Sequence, residues 1–317
     1  MTVLHQYSPW ISGSFLPGED RELLVLKEPA TGNDIAELFV ANQIDANEAV
    51  LCARKSLLGP WGKTSPTERG RILHRAADLL DARRVEFAEL EARNVGKAIS
   101  SVNAEIGGAI ETLRFYASVV GAQTGSSATL GGSLLTYSLR EPVGVCVQIV
   151  PWNYPLLMTM WKLAPALAAG CAIVLKPDLK TPISALLLAE TLHEAGVPEG
   201  VLNVLPGGGD LGAMLVGHKD VDKVAFTGST ATGSEVMRLA SSPIKRLTLE
   251  LGGKSPNIIF SDADLGDAIT SACWSIFYAA GQSCEARSRI LVEESIFEEF
   301  VGELVKSAEK IVTGDPL

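Results

Sequence analysis

Val143-Gly144-Val145-Cys146-Val147-Gln148-Ile149-Val150 is a short apolar run rich in β-branched residues, and it reads as a buried strand. Outward from it the pattern alternates. Met158 to Ala169 reads as a helix, Cys171 to Leu175 as a strand, Ile183 to Glu194 as a helix and Leu202 to Leu205 as a strand. Leu211 to Val216 is then helical, Lys223 to Thr227 a strand, Gly233 to Ala240 helical and Arg246 to Leu251 a strand. Five strands separated by four helices predict an α/β fold, a doubly wound parallel sheet covered on both faces. Ligands in such sheets bind outside the carboxyl ends of the strands.

Upstream, Ile72, Leu73, Ala76, Leu79, Leu80, Phe87 and Leu90 recur near a 3.6 period, which predicts a helix from Pro66 to about Lys97; a second follows from about Ala104 to Gly121. From Gly121 to Ser133 the chain turns rich in Gly, Ser, Thr and Ala, and Leu134 to Leu139 alternates like a hairpin arm. Residues 123–142 are therefore expected to leave the main body.

The 317 residues carry 27 Lys plus Arg against 37 Asp plus Glu, a formal charge of −10. With 47% hydrophobic and 20% charged residues the chain is globular, and its length suits two domains. An acidic chain without a basic stripe is a poor partner for nucleic acid, and no basic amphipathic segment points to a membrane surface. Cys52, Cys146, Cys171, Cys273 and Cys284 are odd in number and form no CxxC pair; His5, His74, His193 and His218 show no metal-ligand spacing. Neither a disulfide framework, a metal site nor a His-assisted nucleophile is expected. Met1 to Gly18 lacks the pattern of a signal peptide, and the longest apolar stretch, Leu163 to Leu175, is shorter than the ~20 residues of a membrane span. The expectation is a soluble, cytoplasmic protein.

Gly253-Lys254-Ser255 resembles the end of a P-loop, but that motif needs glycine where Thr248 stands. A GxGxxG fingerprint is absent, and Gly207-Gly208-Gly209 reads as a loop. Phe226-Thr227-Gly228-Ser229 joins a strand to a helix start, where free N–H groups favour either a pyrophosphate or a simple side-chain cap from Ser229. Asn153 alone is a turn residue, Lys176 alone a solvated cap, and Glu250 alone a buried ion pair or a base; together they fall on one rim of the predicted sheet. Cys284, in Gly281-Gln282-Ser283-Cys284, is the one cysteine in a polar setting, with Arg287 and Arg289 close behind, so it is a nucleophile candidate against the inert alternative.

Taken together, Pro151-Trp152-Asn153-Tyr154-Pro155, Lys176-Pro177, Phe226-Thr227-Gly228-Ser229, Glu250-Leu251-Gly252-Gly253-Lys254-Ser255-Pro256 and Gly281-Gln282-Ser283-Cys284 resemble, in order and spacing, the NAD(P)-dependent aldehyde dehydrogenases. The resemblance implies a Rossmann-like coenzyme domain and a thiol mechanism. Cys284 attacks the aldehyde, the Asn153 amide and the Cys284 N–H hold the oxyanion, and Glu250 activates the hydrolytic water. The coenzyme, NAD or NADP, is expected with its pyrophosphate near Gly228 and Ser229 and its adenosine ribose near Lys176, with Ile149 and Trp152 also in contact. Tyr154 and Trp161 resemble residues of betaine aldehyde and aminoaldehyde dehydrogenases, and their rings either face a substrate cation or pack the tunnel wall.

Two features depart from the family's pattern. A ribose-binding glutamate is replaced by Leu179, followed by Lys180, which leaves NADP tolerated and makes Lys180 a candidate partner for a 2′-phosphate. The chain also ends at Leu317 without a Glu-x-Phe-Gly-Pro motif. The expected division is a coenzyme domain of residues 1–122 and 143–252, a bridging excursion at 123–142 that serves oligomerisation, and an incomplete catalytic domain at 253–317. Truncation would leave Ile258, Ile259, Phe260, Ile290 and Leu291 short of partners. The alternative function is a non-catalytic fragment that binds nucleotide or pairs with a full-length subunit, itself expected to be a homo-oligomer.

Overall fold

A computed structural model describes residues 4–317. Five parallel strands, β1 (Val145–Ile149), β2 (Ala172–Lys176), β3 (Leu202–Val204), β4 (Lys223–Gly228) and β5 (Arg246–Leu251), lie in the order β5-β4-β1-β2-β3. They alternate with α1 (Pro155–Ala169), α2 (Ile183–Glu194), α3 (Gly209–Gly217) and α4 (Thr230–Leu239), as the periodicity predicts. The chain builds outward from β1 to β3, then crosses back to place β4 on the other flank of β1. That reversal makes a switch point between β1 and β4.

Both faces of β1 to β4 are buried, while β5 at the edge is partly exposed, and the strand period shows how the core forms. On β2, Ile173 and Leu175 pack with Leu163 and Met160 of α1 and Leu186 of α2, while Ala172 and Val174 pack with Leu215 of α3 and Val50 of the Gln43–Leu58 helix. The first face is thickened by the helices Pro66–Ala82, Arg84–Val95 and Ile99–Val119, which contribute Leu73, Phe87 and Ile106. The single helix expected from 66 to 97 is thus two, broken at Arg83 (φ −98°, ψ 12°), and the bend lets Leu80 and Phe87 both reach the core.

The sheet is also longer than the periodicity shows. Trp10–Ile11 pairs antiparallel with β3, and Ser14–Phe15 pairs with Trp10–Ile11. Residues 127–137 form an exposed hairpin, Ser127–Thr129 against Leu135–Tyr137. After β5, Pro256–Ile259 and Arg289–Val292 form a small parallel pair, with a cluster of Ile259, Ile269, Ala272 and Phe300 under two helices. Ile259 is buried there, whereas Ile258, Phe260 and Leu291 are exposed.

Glu91, in the second of the split helices, is 1% exposed, and both its carboxylate oxygens lie 3.3–3.4 Å from the Leu156 N–H at the start of α1. Burial pushes its carboxyl up to about 7, against the opposing pull of Lys97, Ser184 and the Leu156 amide. The folded chain therefore keeps a proton that the unfolded chain gives up near 4.5, and this group's contribution to stability falls as pH rises from about 4.5 to 7. Glu91→Gln removes that loss. Denaturant titrations at pH 5 and 8 should show the variant gaining up to roughly 3 kcal/mol on its parent across the interval; an equal pH dependence in both would show that Glu91 titrates normally.

Candidate active site

Because the strands are parallel, β1, β2, β4 and β5 deliver Asn153, Lys176, Gly228 and Glu250 to one rim. Asn153 follows β1 in the turn that leads into α1, whose first residue is Pro155, a position that needs no N–H donor. Glu250 stands opposite Thr227 in the β4–β5 register.

Cys284 comes to this rim on a strained segment. Ala279 and Ala280 adopt left-handed dihedrals (φ 53° and 55°) before Gly281 (φ 74°), which costs a non-glycine residue about 1–3 kcal/mol and persists only where neighbours over-determine it. Those neighbours are visible. Asn153 Nδ2 donates to the Gln282 carbonyl at 2.5 Å, Gln282 N donates to the Ala279 carbonyl at 3.1 Å, and Ser283 lies beside the Tyr154 phenol. A Cβ on Gly253 would stand 3.5 Å from the Cys284 carbonyl, so the turn after β5 and the Cys284 loop are neighbours. Cys284 itself is exposed. It shares the wall of a cavity of about 660 Å³ with Glu250, Thr227, Lys162, Trp161 and Met158.

Lys162 and Thr227 are site residues that the motif reading passed over. Lys162 Nζ donates to Thr227 Oγ1 at 2.5 Å; burial pulls its ammonium down while Glu250 and Cys284 pull it back up. A cation thus sits within the field of both candidate reactive groups. The signal was present in the sequence, since Lys162 is the lone charged residue in the apolar run of α1.

The second half of the rim has the makings of a dinucleotide cradle. Lys176 is buried, burial pulls its ammonium down, and among the described residues its hydrogen-bond acceptor is the Pro177 carbonyl at 3.5 Å. A buried cation so poorly satisfied fits a ligand with hydroxyl acceptors. A Cβ on Gly212 of α3 would meet Lys176 Cδ and Cε at 3.5 Å and Ile149 at 3.8 Å, so these three residues enclose one space. Gly228 is held by close approach, because a Cβ there would meet the Phe226 ring at 2.5 Å. Ser229 Oγ accepts from Thr232 N and caps α4, whose N–H groups open toward the rim. NAD or NADP fits this set of donors.

Two further expected contact regions have these surroundings. Lys180 is exposed, its ammonium 5.7 Å from the centre of the Trp152 ring, while Leu179 packs on the hydrophobic core and lines a groove with Leu24 and Leu26. Tyr154 is buried and one face of its ring is taken by the Lys97 ammonium at 4.1 Å, whereas Trp161 is 54% exposed on the cavity wall. Of the two rings proposed to face a substrate cation, Trp161 is the accessible one.

The Aldehyde dehydrogenase family profile matches residues 15–317. Retinal dehydrogenase 2 of Mus musculus is 44% identical over 312 residues, which are 97% of this chain and 60% of that protein. The NAD+ complex of an aldehyde dehydrogenase from Bacillus cereus superposes with a TM-score of 0.96 at 42% identity, covering 98% of this chain and 64% of the other. Betaine aldehyde dehydrogenase from Staphylococcus aureus, also in complex with NAD+, gives 0.95 at 34% identity, with 98% and 62% covered. The chain therefore spans about three-fifths of the length of the relatives it matches. A profile that runs through nearly every residue, over the same fold, leaves one assignment: the chain belongs to the aldehyde dehydrogenase family.

Proposed function

We propose that the protein oxidises an aldehyde to a carboxylic acid with NAD or NADP, through a covalent intermediate on Cys284. The observation that carries this reading is the shared cavity in which the exposed Cys284 thiol and the Glu250 carboxylate both stand, beside the Asn153 turn. The Cys284 thiolate adds to the aldehyde carbon, and the new oxyanion is held by the Asn153 amide and the Cys284 N–H. The bound coenzyme supplies a hydride acceptor. Loss of hydride leaves a thioester on Cys284; Glu250 takes a proton from water, the water oxygen adds to the acyl carbon, and the C–S bond breaks to release the carboxylic acid and return Cys284 as its thiolate. Lys162 holds the rim cationic while these anions form.

Met158, Trp161, Pro165 and Ala166 give the cavity an apolar wall, which supports an aldehyde with a hydrocarbon body. A cationic aldehyde would meet the exposed ring of Trp161 on the cavity wall. With no carboxylate at Leu179, both coenzymes are admitted. The division into a coenzyme domain, an excursion at 123–142 and a catalytic segment from 253 follows the same reading, with the exposed Leu134, Leu135 and Tyr137 of the hairpin offered to a second copy. Among the described residues no helix is long and apolar enough to cross a membrane. We place the protein in the cytoplasm, where reducing conditions keep the thiol available.

Cys284→Ser should abolish NAD(P)H production from aldehydes, while Cys52→Ser and Cys273→Ser should leave it within about twofold. Turnover surviving in the Cys284 variant would end the thiol mechanism. Glu250→Gln should retain a first-turnover burst of NAD(P)H and then lose steady-state rate by about 10²-fold or more; a normal steady state would make Glu250 structural. Coenzyme binding can be tested without turnover. NAD should raise the melting temperature of the chain, and Lys176→Met should weaken its binding at least about tenfold. An unchanged shift in the variant would move the ribose elsewhere.

A further inference from the structure

A cluster of buried charge lies directly beneath the Cys284 segment, and the mechanism above does not use it. Lys97 and Glu105 are 2% and 5% exposed and form an ion pair with each other. Burying two charges is expensive, and a pair of apolar residues in their place is often as stable. The pair's other contacts show what it does beyond stability.

Those contacts converge on the strained turn from both ends. At its entrance, the Tyr278 hydroxyl lies 3.5 Å from Glu105 Oε1 and 3.4 Å from the Ser101 carbonyl, at the long end of hydrogen bonding but aimed at an anion. At its exit, the Lys97 ammonium sits over the Tyr154 ring, and the Tyr154 phenol stands beside Ser283, the residue immediately before the thiol. Between these anchors lie the left-handed Ala279, Ala280 and Gly281, which need such support.

We propose that the Lys97–Glu105 ion pair is the positioning element of the nucleophile loop, fixing Tyr278 where the left-handed turn begins and Tyr154 where it delivers Cys284. Glu105 acts through the Tyr278 hydroxyl and Lys97 through the Tyr154 ring; neither touches the reacting atoms. The role assigned rests on Cys284 being the nucleophile, while the mechanical claim concerns residues 278–284 and is measurable by itself.

The test uses hydrogen exchange and thiol alkylation on the full chain. In Glu105→Gln and in Tyr278→Phe, amides of residues 278–286 should exchange about tenfold faster, with strands 145–149 and 172–176 unchanged. The decisive variant is the apolar replacement Lys97→Met with Glu105→Leu. A merely structural pair would be substituted without consequence, whereas a positioning pair would leave the melting temperature intact and still free the loop, and would change the rate of Cys284 alkylation by iodoacetamide at least about threefold. A double variant that keeps its melting temperature and its protected loop overturns the proposal. If instead the loop responds but Cys284 in the parent chain is no more reactive toward iodoacetamide than Cys52, the positioning holds and the nucleophile assignment fails.

Discussion

A parallel sheet must end all its strands at the same edge, and this constraint organises the molecule. The strands β1 to β4 are buried on both faces, so the chain can return to start the next one only through a covering helix. The loops that leave the carboxyl ends are then the ones free to carry polar groups. Because β4 is laid beside β1 rather than beside β3, the loop after β1 and the loops after β4 and β5 become neighbours. That adjacency puts Glu250 and Cys284 in one cavity wall and lets Asn153 bond the Gln282 carbonyl beside it.

Against an apolar sheet, the charges that remain inside must each have a reason. Arg21 pairs with Asp45, and Asp222 accepts both the Val145 N–H and the Arg54 guanidinium, so these charges tie loops to strand ends. Lys162 is held by Thr227, whose backbone partner is Glu250. Lys176 has one long hydrogen bond, to the Pro177 carbonyl, which suits a residue that completes its hydrogen bonds with a ligand. Glu91 caps the start of α1 and carries a proton near neutral pH, so the turn bearing Asn153 stands on a carboxyl that is neutral for part of the physiological range.

The segment after β5 behaves differently. It has its own small core around Phe300, and several apolar side chains of its strands and helices, among them Ile258, Phe260 and Trp274, face solvent. The coenzyme side of the rim is built into a large two-faced core, whereas the nucleophile side hangs from the few contacts that reach the turn at residues 278–282. Precision at Cys284 therefore depends on those contacts more than on bulk packing.

Residue periodicity by itself determined the five strands, the four helices between them and hence the rim on which the motif residues fall, because each of these depends on neighbours two to four positions away. The short motifs likewise placed Glu250, Asn153 and Lys176 on one rim, since a strand end is readable locally, while Cys284 joined them only through the family resemblance. What only the tertiary structure decided are relations between distant segments. Trp10–Ile11 and Ser14–Phe15 are too short to show a period, and they become strands because β3 offers them an open edge. The helix expected from 66 to 97 breaks at Arg83 because two layers must be filled from one run. The ring of Tyr154 meets Lys97, and Tyr278 meets Glu105 across more than 170 residues, because the order of the strands, which no local spacing encodes, chooses which side chains share a buried volume.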